Sequence, residues 1–222
     1  MAQMVSFAEI EAAAQARHPD VVARLATVRT PDELAAIPDD RWLSAIVRRI
    51  FEAGFVWRVI EQKWPGFEAV FAQFDPVRLA MADDHFYEQV LADARIIRNR
   101  QKVMAVADNA EFVLARSEQH GGFGRFVACW PCEDVVGLWK VFADEGARLG
   151  GNSAALVLRR LGYDTFILSD DVVHGLLRYG LIDRTPTGWR QKRQIQDIFL
   201  QWKQDTGRPL AHLSLTLACA VG

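Results

Sequence analysis

Residues 42–57, WLSAIVRRIFEAGFVW, decide how the rest of the chain is organised. Read as a helix, this segment places Trp42, Ile46, Ile50 and Ala53 on one stripe, at spacings of four and three residues. Arg49 falls at the edge of that stripe, about 60° from its centre at 100° per residue. We therefore predict an amphipathic helix whose apolar face lies in the core.

The end of this segment carries the residues of greatest interest. Glu52 follows Arg49 by three residues, and Gly54 then interrupts the helical pattern. Two large aromatics, Phe55 and Trp57, follow at once. A helix that ends in glycine and then presents two aromatics suits the wall of a pocket. It also suits an ordinary packed helix–turn–helix corner, which periodicity alone favours.

Composition restricts the class of protein. The chain has 222 residues, half of them hydrophobic, with a formal net charge of −2, which excludes general disorder and an overall basic surface. No apolar run approaches the roughly 20 residues of a membrane span, and the N-terminus lacks a signal-peptide pattern. Three cysteines in a chain of this size indicate a reducing cytoplasm. We expect one domain over residues 1–222, with an N-terminal helical extension at 1–30 and C-terminal helices at 190–222.

Helix start and stop residues recur along the chain, and no segment of alternating polarity is long enough for a sheet. Thr30–Glu33 has the pattern of a capping box, and Asp75, Asp83 and Ser169 are typical helix caps. Pro65 is expected to stop a short helix over 55–63 and to separate it from another over 67–74. The fold class is all-α.

Residues 99–117 form the most regular long helix, and its start is crowded with positive charge. Basic side chains at this end oppose the helix dipole, by a few tenths of a kcal/mol each. A docked phosphate would offset that cost and use the free backbone amides, whereas the alternative is a solvated basic turn. The basic residues are Arg95, Arg98, Arg100 and Lys102.

Cys129-Trp130-Pro131-Cys132 is a CxxC motif, but the βαβ pattern of a thioredoxin-like redox site is missing. No third or fourth ligand stands nearby for structural zinc, and the five histidines are scattered. We expect packing cysteines and no metal. Nucleophilic-serine and nucleotide-binding motifs are also missing.

Two helices joined by a glycine-containing turn are predicted between Leu156 and Tyr179. Backbone amides in such a turn, around Gly162, can hold a DNA phosphate without reading sequence. Any αα-hairpin has a similar pattern, so the turn alone does not establish DNA binding.

Three ordered segments between Ile50 and Ala110 resemble the 3-methyladenine DNA glycosylase I family of the helix–hairpin–helix superfamily. The first, AGFVW at 53–57, is similar to the family's AGLSW. The second begins FAQFDP at 71 and continues to Ala80-Met81, similar to FxxFDPxxxAxM. The third, from Ala94 to Leu114, is similar to AGIIRxRxKIxAxxxNAxxxL. A fainter similarity continues through the hairpin from Leu161 to Leu181.

The resemblance implies a helix–hairpin–helix glycosylase fold with a cleft between two helical lobes. It also implies base-excision repair, in which the N-glycosidic bond of an alkylated purine such as 3-methyladenine is hydrolysed after the base leaves the stack. Trp57 is then the stacking platform, Phe55 the wedge and Arg49 a pocket residue. Glu52 and Asp183, which follows Gly162 by 21 residues, are the candidate catalytic carboxylates. The DNA-binding candidates are Arg98, Arg100, Lys102, Gly162, Tyr163 and Thr165.

Two departures from the family pattern affect these expectations. The family's pocket glutamate, five residues before the glycine of AGLSW, is Arg49 here, and Glu52 is the nearest carboxylate. The spacing of His212 and Cys219 does not fit the family's C-terminal zinc ligands, so we expect no cofactor. Arg49 can pair with Glu52 at i, i+3, and Arg48 can pair with Glu52 at i, i+4.

The sequence therefore predicts a monofunctional DNA N-glycosylase. It is expected to act as a cytoplasmic, nucleoid-associated monomer on double-stranded DNA containing damaged bases, without contact with a membrane. The alternative is a catalytically degenerate protein of the same fold that binds damaged or abasic DNA. A third hypothesis is a helical interaction protein with no role on DNA.

Overall fold

The structure, a computed structural model, describes residues 6–221. Within these residues there are helices and connecting turns and no strand, as predicted. The α-helices are α1 (Phe7–Arg17), α2 (Pro31–Ala35), α3 (Asp39–Glu52), α4 (Trp57–Val70), α5 (Pro76–Ala80), α6 (Asp84–Ala92), α7 (Arg100–His120), α8 (Phe123–Ala128), α9 (Val135–Glu145), α10 (Ser153–Arg160), α11 (Asp170–Arg178), α12 (Trp189–Thr206) and α13 (Leu210–Cys219). Two 3-10 turns, Val21–Arg24 and Ala72–Phe74, complete the set.

The residues predicted to cap helices do so in the structure. The Thr30 side chain accepts from the Glu33 amide, and the Glu33 carboxylate accepts from the Thr30 amide, which completes the capping box of α2. The side chains of Asp75, Asp83 and Ser169 likewise accept amides in the first turns of α5, α6 and α11.

The chain divides into two compact units that alternate along the sequence. One unit contains residues 29–130 and 141–161, and within it α7 packs against α3, α5 and α8. Trp42, Phe112, Phe123 and Phe142 form a buried aromatic cluster at its centre. Trp42, Ile46 and Ile50 are all buried, which confirms these three members of the apolar stripe. The placement of Ala53 on the stripe is wrong, because α3 ends at Glu52 and Ala53 is exposed in an extended conformation.

The other unit contains residues 6–28, 131–140 and 162–221 of the described chain. Its last helix, α13, packs against α1, α11 and α12. The rings of Phe166 and Phe199 stack with centroids 4.6 Å apart, and Trp202 lies between Phe199 and Phe7. The N-terminal and C-terminal helices, which lie outside the family-like segments, thus build one core together.

Helix α4 corrects the prediction that Pro65 ends a helix. Pro65 lies inside α4, which continues to Val70. An interior proline costs about 3 kcal/mol, whereas burying each large apolar side chain returns about 1.5–3 kcal/mol. Phe67 and Phe71 are both fully buried beyond the proline, so their packing retains the helix through it.

Candidate active site

The turn between α3 and α4 presents apolar side chains to solvent. Gly54 adopts a left-handed conformation with φ of 77°, which ends α3, and the Phe55 amide donates to the Glu52 carbonyl at 3.2 Å. Phe55, Val56 and Trp57 are 42%, 67% and 60% exposed. A compact apolar patch of this kind marks a surface that contacts another molecule. The packed-corner interpretation of this segment is therefore wrong.

The buried Lys102 side chain stabilises this turn through hydrogen bonds. Its side chain is 5% exposed, and the ammonium donates to the carbonyls of Phe51 and Ala53 at the end of α3. The same ammonium lies 4.5 Å from the centroid of the Phe55 ring. Burial, followed by the nearby charges of Arg148 and Arg49, lowers the pKa of Lys102.

The prediction of Lys102 as a phosphate-binding residue is therefore wrong. Its position relative to Ala105, Val106 and Asn109, all buried, places it on the inward face of α7. The helical spacing in the sequence is consistent with this buried position, whereas the charge of the side chain alone favours the surface.

Glu52, the last residue of α3, is clamped by two arginines. Its carboxylate accepts from the Arg160 guanidinium at 2.7 and 2.9 Å and from Arg48 Nε at 3.2 Å. Only 9% of its side chain is exposed. The Arg160 contact spans 108 residues, and nothing local in the sequence indicated it. These two charge-assisted contacts fix the orientation of the carboxylate.

Arg49, at the position of the family's glutamate, is half-buried, and its Nε is buried without a hydrogen-bond partner within residues 6–221. Burial lowers the pKa of its guanidinium, and the charge of Glu52 partly opposes that shift. Glu52 forms its ion pairs with Arg48 and Arg160, and no ion pair joins it to Arg49 in the described chain. The predicted i, i+3 pair is therefore not formed, whereas the i, i+4 pair is.

The basic residues near the start of α7 differ in whether a carboxylate pairs with their charge. Arg100 pairs with Glu88 at 2.5 Å, and Arg95 pairs with Asp93 at 2.7 Å. Arg98 is exposed and has no ion pair in the part of the chain described. Of the three basic residues predicted to bind DNA here, Arg98 alone presents an uncompensated charge to solvent.

The turn after α10 begins with Gly162, whose φ is 88°. Tyr163 is buried, its hydroxyl has no partner among the residues described, and burial raises its pKa. Thr165 is fully buried, accepts from Trp139 Nε1 and donates to the Phe166 carbonyl. The side chains of Tyr163 and Thr165 therefore point into the core, and their predicted contact with DNA can come only from the backbone.

Asp183 is exposed in the segment between α11 and α12. It lines a cavity of about 740 Å³ together with Arg184, Arg190 and Gln191. Asp183 belongs to the unit that contains α12, whereas Glu52, Arg49 and Trp57 belong to the unit that contains α7. Four of the predicted site residues thus lie on one stretch of chain, from the end of α3 to the start of α4: Arg49, Glu52, Phe55 and Trp57. Asp183 lies in the other unit.

The cysteines and histidines do not form a metal site in the structure. Residues 6–221 contain no group of three His, Cys, Asp or Glu side chains that could hold a metal ion. His212 Nε2 lies 2.9 Å from the Ala26 carbonyl, and Cys219 is buried. Cys129 and Cys132 are exposed, so our expectation that they are packing residues is wrong. The residues present do not fit the zinc site of the family.

Comparison with known proteins supports the resemblance. Residues 36–141 match the family described as methyladenine glycosylase. The DNA-3-methyladenine glycosylase 1 of Escherichia coli strain K12 is 39% identical over 70 residues. That match covers 32% of this chain and 37% of the relative, so the chain matches little more than a third of that relative's length.

Solved structures show the same fold. The 3-methyladenine DNA glycosylase I of Staphylococcus aureus superposes with a TM-score of 0.52 at 16% identity, covering 68% of this chain and 88% of that chain. The 8-oxoguanine DNA glycosylase of Methanocaldococcus jannaschii superposes with a TM-score of 0.57 at 15% identity, covering 95% and 90%. The second comparison extends the similarity of fold to the terminal helices.

No helix within residues 6–221 is long and apolar enough to cross a membrane. The exposed Phe55 and Trp57 occupy the AGFVW segment, and this segment lies inside the matched stretch. Within residues 36–141, just under half of its length, the chain is similar to the methyladenine glycosylase family.

Proposed function

We propose that this protein is a monofunctional DNA N-glycosylase that hydrolyses the N-glycosidic bond of an alkylated purine, such as 3-methyladenine, in double-stranded DNA. The observation that carries the proposal is the turn at 53–57, in which Phe55 and Trp57 are exposed and which directly follows Glu52, a carboxylate held by Arg48 and Arg160. We further propose that it acts as a monomer in the cytoplasm on chromosomal DNA, without a cofactor.

The exposed indole of Trp57 supplies a platform for a base turned out of the duplex. Stacking of a base on an aromatic side chain is worth about 1–3 kcal/mol. A cationic alkylated purine gains a further 0.5–2 kcal/mol or so from the ring face. Phe55, next to this platform, fills the gap that the displaced base leaves in the stack.

Cleavage requires little acid catalysis when the leaving purine already carries positive charge. The transition state then places positive charge on the sugar, which a fixed carboxylate stabilises while it orients the attacking water. Glu52 is held in one orientation by Arg48 and Arg160. Asp183, which is exposed, is the second candidate for this role.

Hydrolysis is favoured over Schiff-base lyase chemistry. A lyase needs a free amine at the sugar. No lysine occurs in the hairpin between Leu156 and Tyr179, and the Lys102 ammonium is occupied by two carbonyl groups.

The test is release of free base under single-turnover conditions, measured by liquid chromatography and mass spectrometry on duplexes with methylated, deaminated and hypoxanthine bases. We expect the wild-type protein to release an alkylated purine. Loss of the carboxylate that acts on the sugar should slow release on the order of 100-fold. Glu52→Gln and Asp183→Asn identify which carboxylate this is, with thermal melts to confirm folding.

The outcomes separate the remaining hypotheses. Release from none of these duplexes, combined with salt-sensitive binding to an abasic-site analogue, would identify a catalytically degenerate DNA-binding protein. A protein that neither releases a base nor binds DNA would fit only the hypothesis of a helical interaction protein.

A further inference from the structure

The start of α12 and the segment before it carry three exposed arginines without partners. The side chains of Arg184, Arg190 and Arg193 form no ion pair or hydrogen bond within residues 6–221. Lys192 lies between them in sequence, with its ammonium 4.4 Å from the centroid of the Trp189 ring. Positive side chains at the start of a helix oppose its dipole, so this arrangement costs stability in the free protein.

These arginines differ from the arginines of the chain that form ion pairs. Carboxylates outnumber lysines and arginines, 28 to 26, so partners are available across the protein. Eight arginines elsewhere do pair with a carboxylate: Arg24, Arg41, Arg48, Arg95, Arg100, Arg116, Arg160 and Arg208. A cluster of unpaired arginines in such a chain indicates an anionic partner outside it.

The cluster lines two cavities that share Arg190. One, of about 740 Å³, is lined by Arg184, Arg190 and Asp183 among others. The second, of about 340 Å³, is lined by Arg190, Arg193, Trp189, Lys140 and Asp197 among others. Four cationic residues thus line these cavities against two carboxylates, which gives the surface a net positive charge.

Guanidinium groups donate two parallel hydrogen bonds to phosphate oxygens, and their planar form suits that geometry. Arg190 and Arg193 stand three residues apart on α12, so they lie on one face of the helix. An extended polyanion can therefore contact both side chains, together with Arg184, in one binding event.

We propose that Arg184, Arg190 and Arg193 bind backbone phosphates of the substrate DNA beside Asp183. The inference rests on the proposed glycosylase function and adds a DNA-binding surface outside residues 36–141, the stretch that matches the family. It assigns phosphate contacts to arginines that are free, where Lys102 is buried and Arg100 is paired.

The test is the salt dependence of binding to a duplex with an abasic-site analogue, measured by fluorescence anisotropy. Each phosphate contact contributes about 0.9 to the slope of log K against log salt, so Arg190→Gln with Arg193→Gln should lower the slope by about 1.8. At about 0.1 M salt this corresponds to roughly 60-fold weaker binding. Arg190→Lys with Arg193→Lys keeps the charge and should keep most of the slope.

Arg78→Gln with Arg125→Gln is the matched control, because it removes two exposed arginines without ion pairs in the described chain, from α5 and α8. We expect its slope to equal that of the wild type. A wild-type slope in the Arg190/Arg193 glutamine variant would overturn this inference and leave the glycosylase proposal standing. No binding by the wild-type protein would overturn both.

Discussion

Substitution of Lys102 by methionine tests whether this residue supports the exposed turn or binds DNA. Methionine preserves the apolar stem and removes the ammonium that donates to Phe51 and Ala53. Hydrogen bonds to a charged group are worth about 1.5–3 kcal/mol. Phe51 is fully buried, so its carbonyl cannot regain water, whereas Ala53 is exposed and its carbonyl can. The free energy of unfolding should therefore fall. The lost hydrogen bonds lower it, and the avoided desolvation of the ammonium offsets part of that loss. We expect a net decrease of about 2 kcal/mol.

The loss is measured as the free energy of unfolding in urea, and it corresponds to a fall in Tm of about 4–8 °C for a chain of this size. Lys63→Met is the matched control, since the Lys63 ammonium donates to one carbonyl, that of Ala94, and is less buried. It should cost less than about 1 kcal/mol. Unchanged stability of Lys102→Met would refute the supporting role. A DNA-binding salt slope lower by about 0.9 would restore Lys102 as a phosphate contact.

Three further predictions concern Gly54, Arg49 and the ion pair of Asp93 with Arg95. Gly54→Ala should cost about 1 kcal/mol in the free energy of unfolding because of the left-handed φ, since a Cβ there meets no atom within 4 Å; wild-type stability would show that the turn relaxes freely. Arg49→Gln should raise the release of a cationic alkylated purine relative to a neutral one by roughly tenfold, because it removes a like charge; an unchanged ratio would place Arg49 outside the pocket. The Arg95 side chain lowers the pKa of Asp93 to about 2, so its carboxyl NMR shift should titrate near that pH. Its stabilising contribution is complete above the unfolded pKa near 3.8 and is lost as the pH falls through about 2; titration near 3.8 would contradict the pairing.

Features encoded over three or four neighbouring residues could be predicted from the sequence. The capping box of Thr30 and Glu33 and the cap at Asp75 depend on side chains that reach amides in the same turn. The buried stripe of Trp42, Ile46 and Ile50 follows from helical periodicity alone. The exposure of Trp57 did not follow from periodicity, and it was expected only through the family resemblance.

Features that depend on packing between distant segments could not be predicted. Pro65 remains helical because aromatic side chains beyond it are buried. The ion pair between Glu52 and Arg160 joins helices far apart in sequence. Lys102 is buried because two carbonyls at the end of α3 accept from it, and local sequence contains no sign of that partnership.

The most direct test of the account is the single-turnover rate at which 3-methyladenine is released from duplex DNA by the wild-type protein, by Trp57→Ala and by Val59→Ala. Trp57 is the proposed platform, and Val59 is a nearby exposed apolar residue without that role. We predict release by the wild-type protein, a decrease of about 5- to 150-fold for Trp57→Ala from lost stacking, and a near wild-type rate for Val59→Ala. Equal rates for the wild-type protein and Trp57→Ala, or no release by the wild-type protein, would contradict it.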